Sequence, residues 1–176
     1  QREISTLIDD IKDVLVNGVK EVDQHLIETF STNLSKTIIE RLDRKEREPT
    51  LRMSSIGQPC ERKLWYEINK PELAAPLSGN DYLKFLYGDI IESVILFLAK
   101  LAGHDVKGEQ DEVEIEGIKG HRDAIIDGVL VDVKSASPFS YKKFEDGSLQ
   151  ENDAFGYVSQ IQSYLYASST GTKSDE

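Results

Sequence analysis

The chain has 176 residues, 39% hydrophobic and 30% charged, which is typical of a soluble globular protein long enough to bury a core. It has no run of about 18 apolar residues, so we expect no membrane-spanning helix, and the single cysteine, Cys60, excludes an internal disulfide and suits a reducing compartment. The net charge of −11 argues against general affinity for polyanions, although bound cations or local Lys and Arg side chains would still permit a nucleic-acid site.

The N-terminal residues show helical periodicity. The sequence starts as QREISTLIDD, without Met and without a signal-peptide pattern, so we expect a trimmed or fragmentary chain. Apolar residues at helical spacing predict a first helix that breaks at Asn17-Gly18. A second series from Val22 to Leu42 predicts a long helix to about Arg47. We interpret residues 1–50 as an N-terminal helical arm and residues 51–176 as a separate domain.

The central and C-terminal residues predict helices around a small sheet. Two helices are expected, from about Cys60 to Asn69 and from about Asp81 to Ala102, with Gly103 as the C-terminal cap of the second. Period-two patterns then predict three strands, and a last helix follows; the expected ranges are 106–116, 118–126 and 129–134 for the strands and 153–168 for the helix. This order predicts an α/β fold with a small central mixed β-sheet, built as a β-meander and flanked by helices.

The sequence GHRDAIIDGVLVDVKSAS contains an Asp-Gly pair between apolar runs, which is the strongest short signal for a β-hairpin. With Asp127 and Gly128 as its two-residue loop, Asp123 lies opposite Asp132. Because side chains alternate along a strand, one face of the hairpin carries five apolar residues, Ala124, Ile126, Val129, Val131 and Val133, and the other carries four polar residues. Those polar residues are His121, Asp123, Asp132 and Lys134.

The opposed aspartates need something to offset their repulsion. Their Cβ atoms would be about 5 Å apart, and at an effective dielectric constant of about 20 the two charges repel by roughly 3 kcal/mol. A shared proton would relieve the repulsion, and Lys134 would neutralise one charge. A divalent cation answers it more fully, and hard oxygen ligands favour Mg²⁺, Mn²⁺ or Ca²⁺ over zinc.

Further candidate residues lie on two predicted helices. Glu92 continues a polar stripe of the third helix into its apolar end, where a buried carboxylate needs a partner or a metal. Gln160 and Tyr164 share one face of the last helix with Tyr157.

Four short motifs, in this order, resemble the PD-(D/E)XK nuclease superfamily. The resemblance is to the branch that contains RecB-type nuclease domains, CRISPR-associated RecB-like exonucleases and related phage exonucleases. The motifs are GDIIE (88–92), GHRD (120–123), DVK (132–134) and QIQSY (160–164), within residues 54–168. The resemblance implies a PD-(D/E)XK nuclease-like domain over residues 51–176. Relatives usually continue with a further strand, so we expect either that the chain is truncated at its C-terminal end or that part of the sheet comes from elsewhere.

The resemblance also implies a site that binds Mg²⁺ or Mn²⁺. Lys134 would position the attacking water or stabilise charge on the scissile phosphate, and Gln160 and Tyr164 would orient the site and the DNA backbone. The implied metal ligands are Glu92, Asp123, Asp132 and the backbone carbonyl of Val133.

Other residues give weaker expectations. Arg62, Lys63 and His121 are candidate DNA contacts, with ordinary surface roles as the alternative. Some relatives hold an iron–sulfur cluster with four cysteines, but Cys60 alone cannot, so no such cluster is expected.

The function expected from these observations is a metal-dependent deoxyribonuclease, most simply an exonuclease of recombination, repair or phage DNA processing. It would act on DNA in the cytoplasm of a bacterial or phage-infected cell. Two alternatives stay open: a structure-specific or sequence-specific endonuclease, and a nuclease-like domain that binds DNA or protein without cleavage. Ca²⁺ held only for structure is disfavoured by Lys134, because a cation beside such a site weakens it. The oligomeric state is left open.

Overall fold

The computed structural model describes residues 2–43, 48–151 and 153–170. Within these residues the chain forms α-helices and small antiparallel sheets, which confirms the predicted mixed α/β class. The helices are α1 (Leu7–Asn17), α2 (Gln24–Leu42), α3 (Glu61–Asn69), α4 (Gly79–Leu101), α5 (Pro138–Glu145) and α6 (Tyr157–Thr170). The strands are β1 (Val106–Lys107), β2 (Glu112–Ile115), β3 (Ile118–His121), β4 (Ala124–Ile126) and β5 (Val129–Val131).

The chain divides into two compact units, each made of three stretches of sequence. The first unit comprises residues 1–46, 77–109 and 123–135, and the second comprises residues 47–76, 110–122 and 136–176. The N-terminal helices thus belong to the same unit as α4 and the β4–β5 hairpin. The division at residue 50 into arm and nuclease-like domain stays a prediction.

The first unit is built around α4. The helix begins with a capping box, in which Ser78 and Asp81 satisfy each other's backbone N–H groups, and the chain leaves it at Gly103 with φ +87°. Phe97 stacks on Phe30 of α2, with ring centroids 4.3 Å apart, and Asp89 pairs with Arg41 of α2. The buried core unites α1, α4 and β4 through Leu7, Ile11, Leu96, Ala99, Ala124 and Ile126.

The β4–β5 hairpin has the predicted turn and register. Asp127 and Gly128 have φ +52° and +84°, the left-handed values that a two-residue type I′ turn requires. Ile126 pairs with Val129 and Ala124 with Val131, as expected from the Asp-Gly signal.

The sequence predicts one mixed β-sheet built as a β-meander, and this prediction is wrong. The first predicted strand divides into β1 and β2, because Gly108 and Gln110 adopt φ +62° and +57° and turn the chain between them. The second divides into β3 and β4 at Arg122 and Asp123. Two sheets result, one with the order β1-β4-β5 and one formed by β2 and β3.

Two predicted helix boundaries also shift. Helix α2 ends at Leu42, followed by the extended residue Asp43, and the predicted continuation over residues 44–47 lies outside the described residues. Helix α6 starts at Tyr157 instead of Asp153. Asp153 precedes the helix, and its carboxylate accepts hydrogen bonds from the backbone N–H groups of Tyr157 and Val158 at 2.9 and 2.8 Å. Asp153 therefore belongs to the cap of α6 instead of to its body.

In the second unit, α6 packs close to the β2–β3 hairpin. Tyr164 and Met53 are buried against the backbone of Gly120. A Cβ atom on Gly120 would lie only 2.7 Å from the Tyr164 ring and 2.8 Å from Met53 Cβ, so the glycine permits this close packing. Across the parts of the chain that the structure describes, no helix has both the length and the apolar character needed to cross a membrane.

Candidate metal and catalytic site

Asp123 and Asp132 leave the β4–β5 hairpin at its open end. Asp123 directly precedes β4 and Asp132 directly follows β5, one position beyond the last ladder pair, Ala124 and Val131. The register fixed by the Asp127-Gly128 turn therefore brings the two carboxylates to the same edge of the sheet, as the sequence predicts.

Asp123 is anchored to the backbone of the opposite chain segment. Its side chain is buried, with the residue only 8% exposed, and its Oδ2 accepts a hydrogen bond from the Val133 N–H at 2.6 Å. The carboxylate thus accepts the Val133 N–H, which would donate to a backbone carbonyl if the β4–β5 ladder were longer. This contact holds Asp123 beside the Asp132–Lys134 segment.

The electrostatic environment of Asp123 favours its protonated form. Burial, which is the largest cause, and the neighbouring charge of Asp132 together raise the pKa of its carboxyl from 3.8 to about 6. The Val133 N–H and the Lys134 ammonium lower this pKa, but by less. The repulsion expected from the sequence is therefore present between these carboxylates.

Lys134 neutralises Asp132. Its Nζ lies 2.9 Å from Oδ1 and 2.8 Å from Oδ2 of Asp132, and both side chains are partly buried. One cation thus serves two carboxylates. With both acids ionised the trio has a net charge of −1, which suits a divalent cation.

Glu92 lies on the face of α4 that looks toward this segment. Gly88, Glu92 and Leu96 follow one another at intervals of four on a single helical stripe. At one end of the stripe, a Cβ on Gly88 would lie 3.7 Å from Ser135 Oγ; at the other, Leu96 belongs to the core with Ala124. Glu92 is half-buried and lies between Gly88 and Leu96 on this stripe.

Within residues 2–43, 48–151 and 153–170, no group of three or more His, Cys, Asp or Glu side chains is arranged to hold a metal ion. The donor chemistry of Asp123 and Asp132 fits a hard cation, while ligation by Glu92 and the Val133 carbonyl stays a prediction.

Gln160 and Tyr164 are adjacent on α6 of the second unit, as their spacing predicts. Both are buried, and Gln160 Nε2 donates a hydrogen bond to the Tyr164 hydroxyl at 3.1 Å. Tyr164 also packs on Gly120. Their contacts are those of a polar pair within the core of this unit, and the DNA-orienting role implied by the resemblance stays a prediction.

The candidate DNA contacts lie on the surface of the second unit. His121 is exposed and pairs with Glu112 across β2 and β3, so its predicted position opposite Lys134 is wrong. The cause is the break at Arg122 and Asp123, which separates His121 from the ladder of the β4–β5 hairpin.

Arg62 and Lys63 are exposed on α3. The Arg62 guanidinium lies 5.8 Å from the centre of the Tyr66 ring, and Lys63 Nζ lies 3.7 Å from Glu67 Oε1. Both side chains therefore have neighbours on their own helix, and DNA contact by either stays a prediction.

His104 is a buried residue that the sequence did not single out. Its Nδ1 lies 2.6 Å from Asp127 Oδ2, and its Nε2 lies 3.3 Å from Asp10 Oδ2 of α1. Asp127 Oδ1 also accepts the Asp105 N–H at 3.0 Å, so the turn aspartate has a structural role beyond its conformation. A histidine directly after the helix-ending Gly103 was the available signal.

Comparisons of the chain with protein family models, with curated proteins and with solved structures found no match. The paired carboxylates of the β4–β5 hairpin and their lysine are therefore the observations from which a function can be inferred.

Proposed function

We propose that the protein is a divalent-metal-dependent deoxyribonuclease that hydrolyses phosphodiester bonds, most simply as an exonuclease. The observation that carries the proposal is the opposition of buried Asp123 to Asp132, with Lys134 as their shared cation. The β4–β5 hairpin and α4 would then form the centre of a PD-(D/E)XK fold of the RecB-like and phage exonuclease branch.

The energetic cost of Asp123 supports a functional role. A rise of about two pKa units, from 3.8 to about 6, means that ionising this carboxyl in the folded protein costs about 3 kcal/mol more than in the unfolded chain. An apolar or amide side chain would avoid that cost. Strained or destabilised groups of this kind concentrate at functional sites.

The chemistry of the site matches phosphodiester hydrolysis. Bound Mg²⁺ or Mn²⁺ would supply an activated water and neutralise charge on the phosphoryl oxygens. Asp123 and Asp132 would hold the ion, Glu92 would reach it from the facing stripe of α4, and the Val133 carbonyl would complete the ligands. Lys134 would release its contact with Asp132 to position the water or to stabilise the phosphate.

Two other functions follow from the same residues. A structure-specific or sequence-specific endonuclease would use the same chemistry on internal bonds. A non-cleaving domain that binds DNA or protein would have no need of the opposed acids, so the cost at Asp123 favours a nuclease. The substrate would be DNA, and the protein would act in the cytoplasm of a bacterial or phage-infected cell.

The test compares linear and closed circular DNA with Mg²⁺, with Mn²⁺ and with EDTA. The parent protein is expected to degrade linear DNA only when a metal is present, and Lys134→Ala is expected to lose at least about 100-fold in rate, the lower end for a group that acts on the transition state. Lys12→Ala is the matched control, because Lys12 is an exposed lysine of α1 that belongs to no candidate catalytic or DNA-binding set. Cleavage of circular DNA would favour the endonuclease, and no cleavage with either metal would refute the proposal.

A further inference from the structure

His104 is a buried ionisable residue that the proposed nuclease site does not use. Its ring is fully shielded from solvent, and the residue lies three positions after α4 ends at Leu101. The His104 N–H donates to the Ala99 carbonyl at 3.1 Å, which fixes the residue to the last turn of α4. The position of the ring is therefore set by α4, and its two nitrogens face other elements of the same unit.

The two ring nitrogens face carboxylates of two different elements. Nδ1 lies 2.6 Å from Asp127 Oδ2 in the β4–β5 turn, within hydrogen-bond distance, and Nε2 lies 3.3 Å from Asp10 Oδ2 of α1. The second contact falls short of hydrogen-bond geometry, so Nε2 is a buried nitrogen without a hydrogen-bond partner among the residues that the structure describes. The contact with Asp10 is therefore an attraction between charges, and it exists only while the ring is an imidazolium.

A neutral ring has one proton for these two carboxylates. The hydrogen bond that the ring makes decides which nitrogen keeps the proton, and the shorter contact is that of Nδ1 with Asp127. The neutral ring would thus keep its proton at Nδ1 and present the lone pair of Nε2 to the Asp10 carboxylate. Because an acceptor that faces a carboxylate away from water is unfavourable, loss of the second proton weakens the contact with α1 and leaves the contact with the turn.

The charges around the ring balance only when it is an imidazolium. The ring then faces Asp127, and Arg2 Nη1 lies 2.5 Å from Asp10 Oδ1, so two cations accompany two anions. A neutral ring leaves this cluster with a net charge of −1. The neighbouring Asp105 has a cation of its own, Lys107, at 2.6 Å. The C-terminal end of α4 also favours a cation, whereas burial favours the neutral ring.

The two carboxylates stay ionised wherever histidine titrates. The hydrogen bond from the Thr6 hydroxyl is the largest cause that lowers the pKa of Asp10 below its ordinary value of 3.8. The hydrogen bond with the His104 ring does the same for the pKa of Asp127. Histidine side chains change charge between about pH 5 and pH 8. Over that range the ring is therefore the member of the cluster that gains or loses a proton.

We propose that the charged His104 ring docks α1 on the end of α4, and that release of its second proton to solvent loosens α1. Leu7 and Ile11 hold α1 in the hydrophobic core in either state, so the helix loosens without detaching. The contribution of the contact is complete where the ring is charged, at about pH 5, and is lost as pH rises through the range in which histidine titrates. None of the residues involved belongs to the proposed nuclease site, so the docking of α1 and the nuclease stand or fall separately.

Nitrogen NMR of the ring tests its protonation states. Long-range proton–nitrogen spectra of protein labelled at histidine are followed from pH 5 to pH 9, and exposed His25 and His121 are replaced by Gln in turn to assign the signals. His104 is expected to carry both protons at pH 5 and to be the Nδ1–H tautomer at pH 9. A neutral ring at pH 5, or a neutral ring with its proton at Nε2, would overturn the proposal.

Hydrogen exchange measures the docking of α1. Amide protection is compared at pH 5.5 and pH 8.5 after correction for the intrinsic pH dependence of exchange. Helix α2 is the reference, because changes shared by the whole unit, such as ionisation of Asp123, affect both helices. Protection in α1 is expected to fall about 5- to 30-fold relative to α2, the range for loss of one ionic contact. An equal change in the two helices, or no change in α1, would overturn the proposal.

Asp10→Asn separates the charge of Asp10 from its packing. The Asn amide can donate an N–H to the lone pair of a neutral Nε2, so α1 of this variant should be better protected at pH 8.5 than α1 of the parent protein. Asp9→Asn is the matched control, because Asp9 is an exposed aspartate of the same helix, and it should keep the parent's pH dependence. His104→Gln, which cannot be charged, is the second variant and should lose that dependence. If folded Asp10→Asn and His104→Gln proteins both keep the parent's pH dependence, the proposal is overturned.

Discussion

Asp123→Asn should stabilise the folded protein at pH 8, although it removes a residue of the proposed site. The wild-type carboxyl has its pKa raised from 3.8 to about 6 by burial and by Asp132. Two pKa units at about 1.4 kcal/mol each give roughly 3 kcal/mol of destabilisation when this group is ionised. The amide oxygen of Asn can still accept the Val133 N–H, but a neutral acceptor is weaker than a carboxylate by about 1 kcal/mol. The expected net gain is about 2 kcal/mol.

The sign of this effect depends on pH. Below about pH 4 the carboxyl is protonated in the folded and unfolded states alike, so Asp123 carries no charge to penalise. Between pH 4 and about pH 6 the unfolded chain releases the proton first, and the folded state loses stability as pH rises. Above about pH 6 the penalty is complete. The gain from Asp123→Asn should therefore appear across this window.

The assay is urea unfolding of both proteins at pH 4, 6 and 8 in EDTA. Asp127→Asn is the matched control, because Asn-Gly forms a type I′ turn as readily as Asp-Gly. The His104 ring and the Asp105 N–H lower the pKa of Asp127, so its charge stabilises the fold at neutral pH, and its substitution should destabilise the protein there. If Asp123→Asn is less stable than the parent protein at pH 8, by as much as it is at pH 4, the reasoning is refuted.

Mn²⁺ provides an independent readout of the same carboxylates. An ion held by Asp123 and Asp132 would offset their repulsion, so saturating Mn²⁺ should raise the stability of the parent protein above pH 6. The Asp123→Asn protein should respond far less. An equal response of both proteins would show that the ion binds elsewhere.

Two further predictions concern packing. Gly120→Ala should destabilise the protein by about 1–3 kcal/mol in thermal unfolding, because the added Cβ would overlap the Tyr164 ring. Gly79→Ala is the control and should be neutral or slightly stabilising, because nothing lies within 4 Å of a Cβ atom at that position. Equal effects of the two substitutions would contradict this account. His104→Ala should lower the free energy of unfolding by about 3 kcal/mol, because it empties a buried site between two carboxylates. His121→Ala is the control and should change stability by less than about 0.5 kcal/mol, because His121 is exposed. A His104→Ala protein of unchanged stability would show that this cluster contributes little.

The hairpin and most helices were predictable because their signals are local. Asp127-Gly128 determines the turn, and the turn determines the register that sets Asp123 toward Asp132. Helix α4 likewise ends where Gly103 predicts. The break at Arg122 and Asp123 was not predicted, because neither position carries Gly or Pro to mark it, and the pairing of β3 with β2 reveals it.

The opposition of Asp123 to Asp132 was predictable from the turn, but the contacts around these two residues were not. The hydrogen bond from Val133 to Asp123 uses a backbone group, which leaves no trace in the sequence. The close packing of Tyr164 depends on Gly120, which lies 44 positions earlier in the sequence. His104 escaped attention because its two partners, Asp10 and Asp127, are distant in sequence.

The burial of Asp123 has a consequence for the rate of folding. Asp123 and Val133 are only ten positions apart, so the hairpin that joins them can close within microseconds, before α4 covers it. If the transition state already shields the carboxylate from water, alkaline pH slows folding; if shielding comes later, alkaline pH instead accelerates unfolding. Chevron plots at pH 4 and pH 8 would therefore show whether Asp123 becomes buried before or after the transition state of folding.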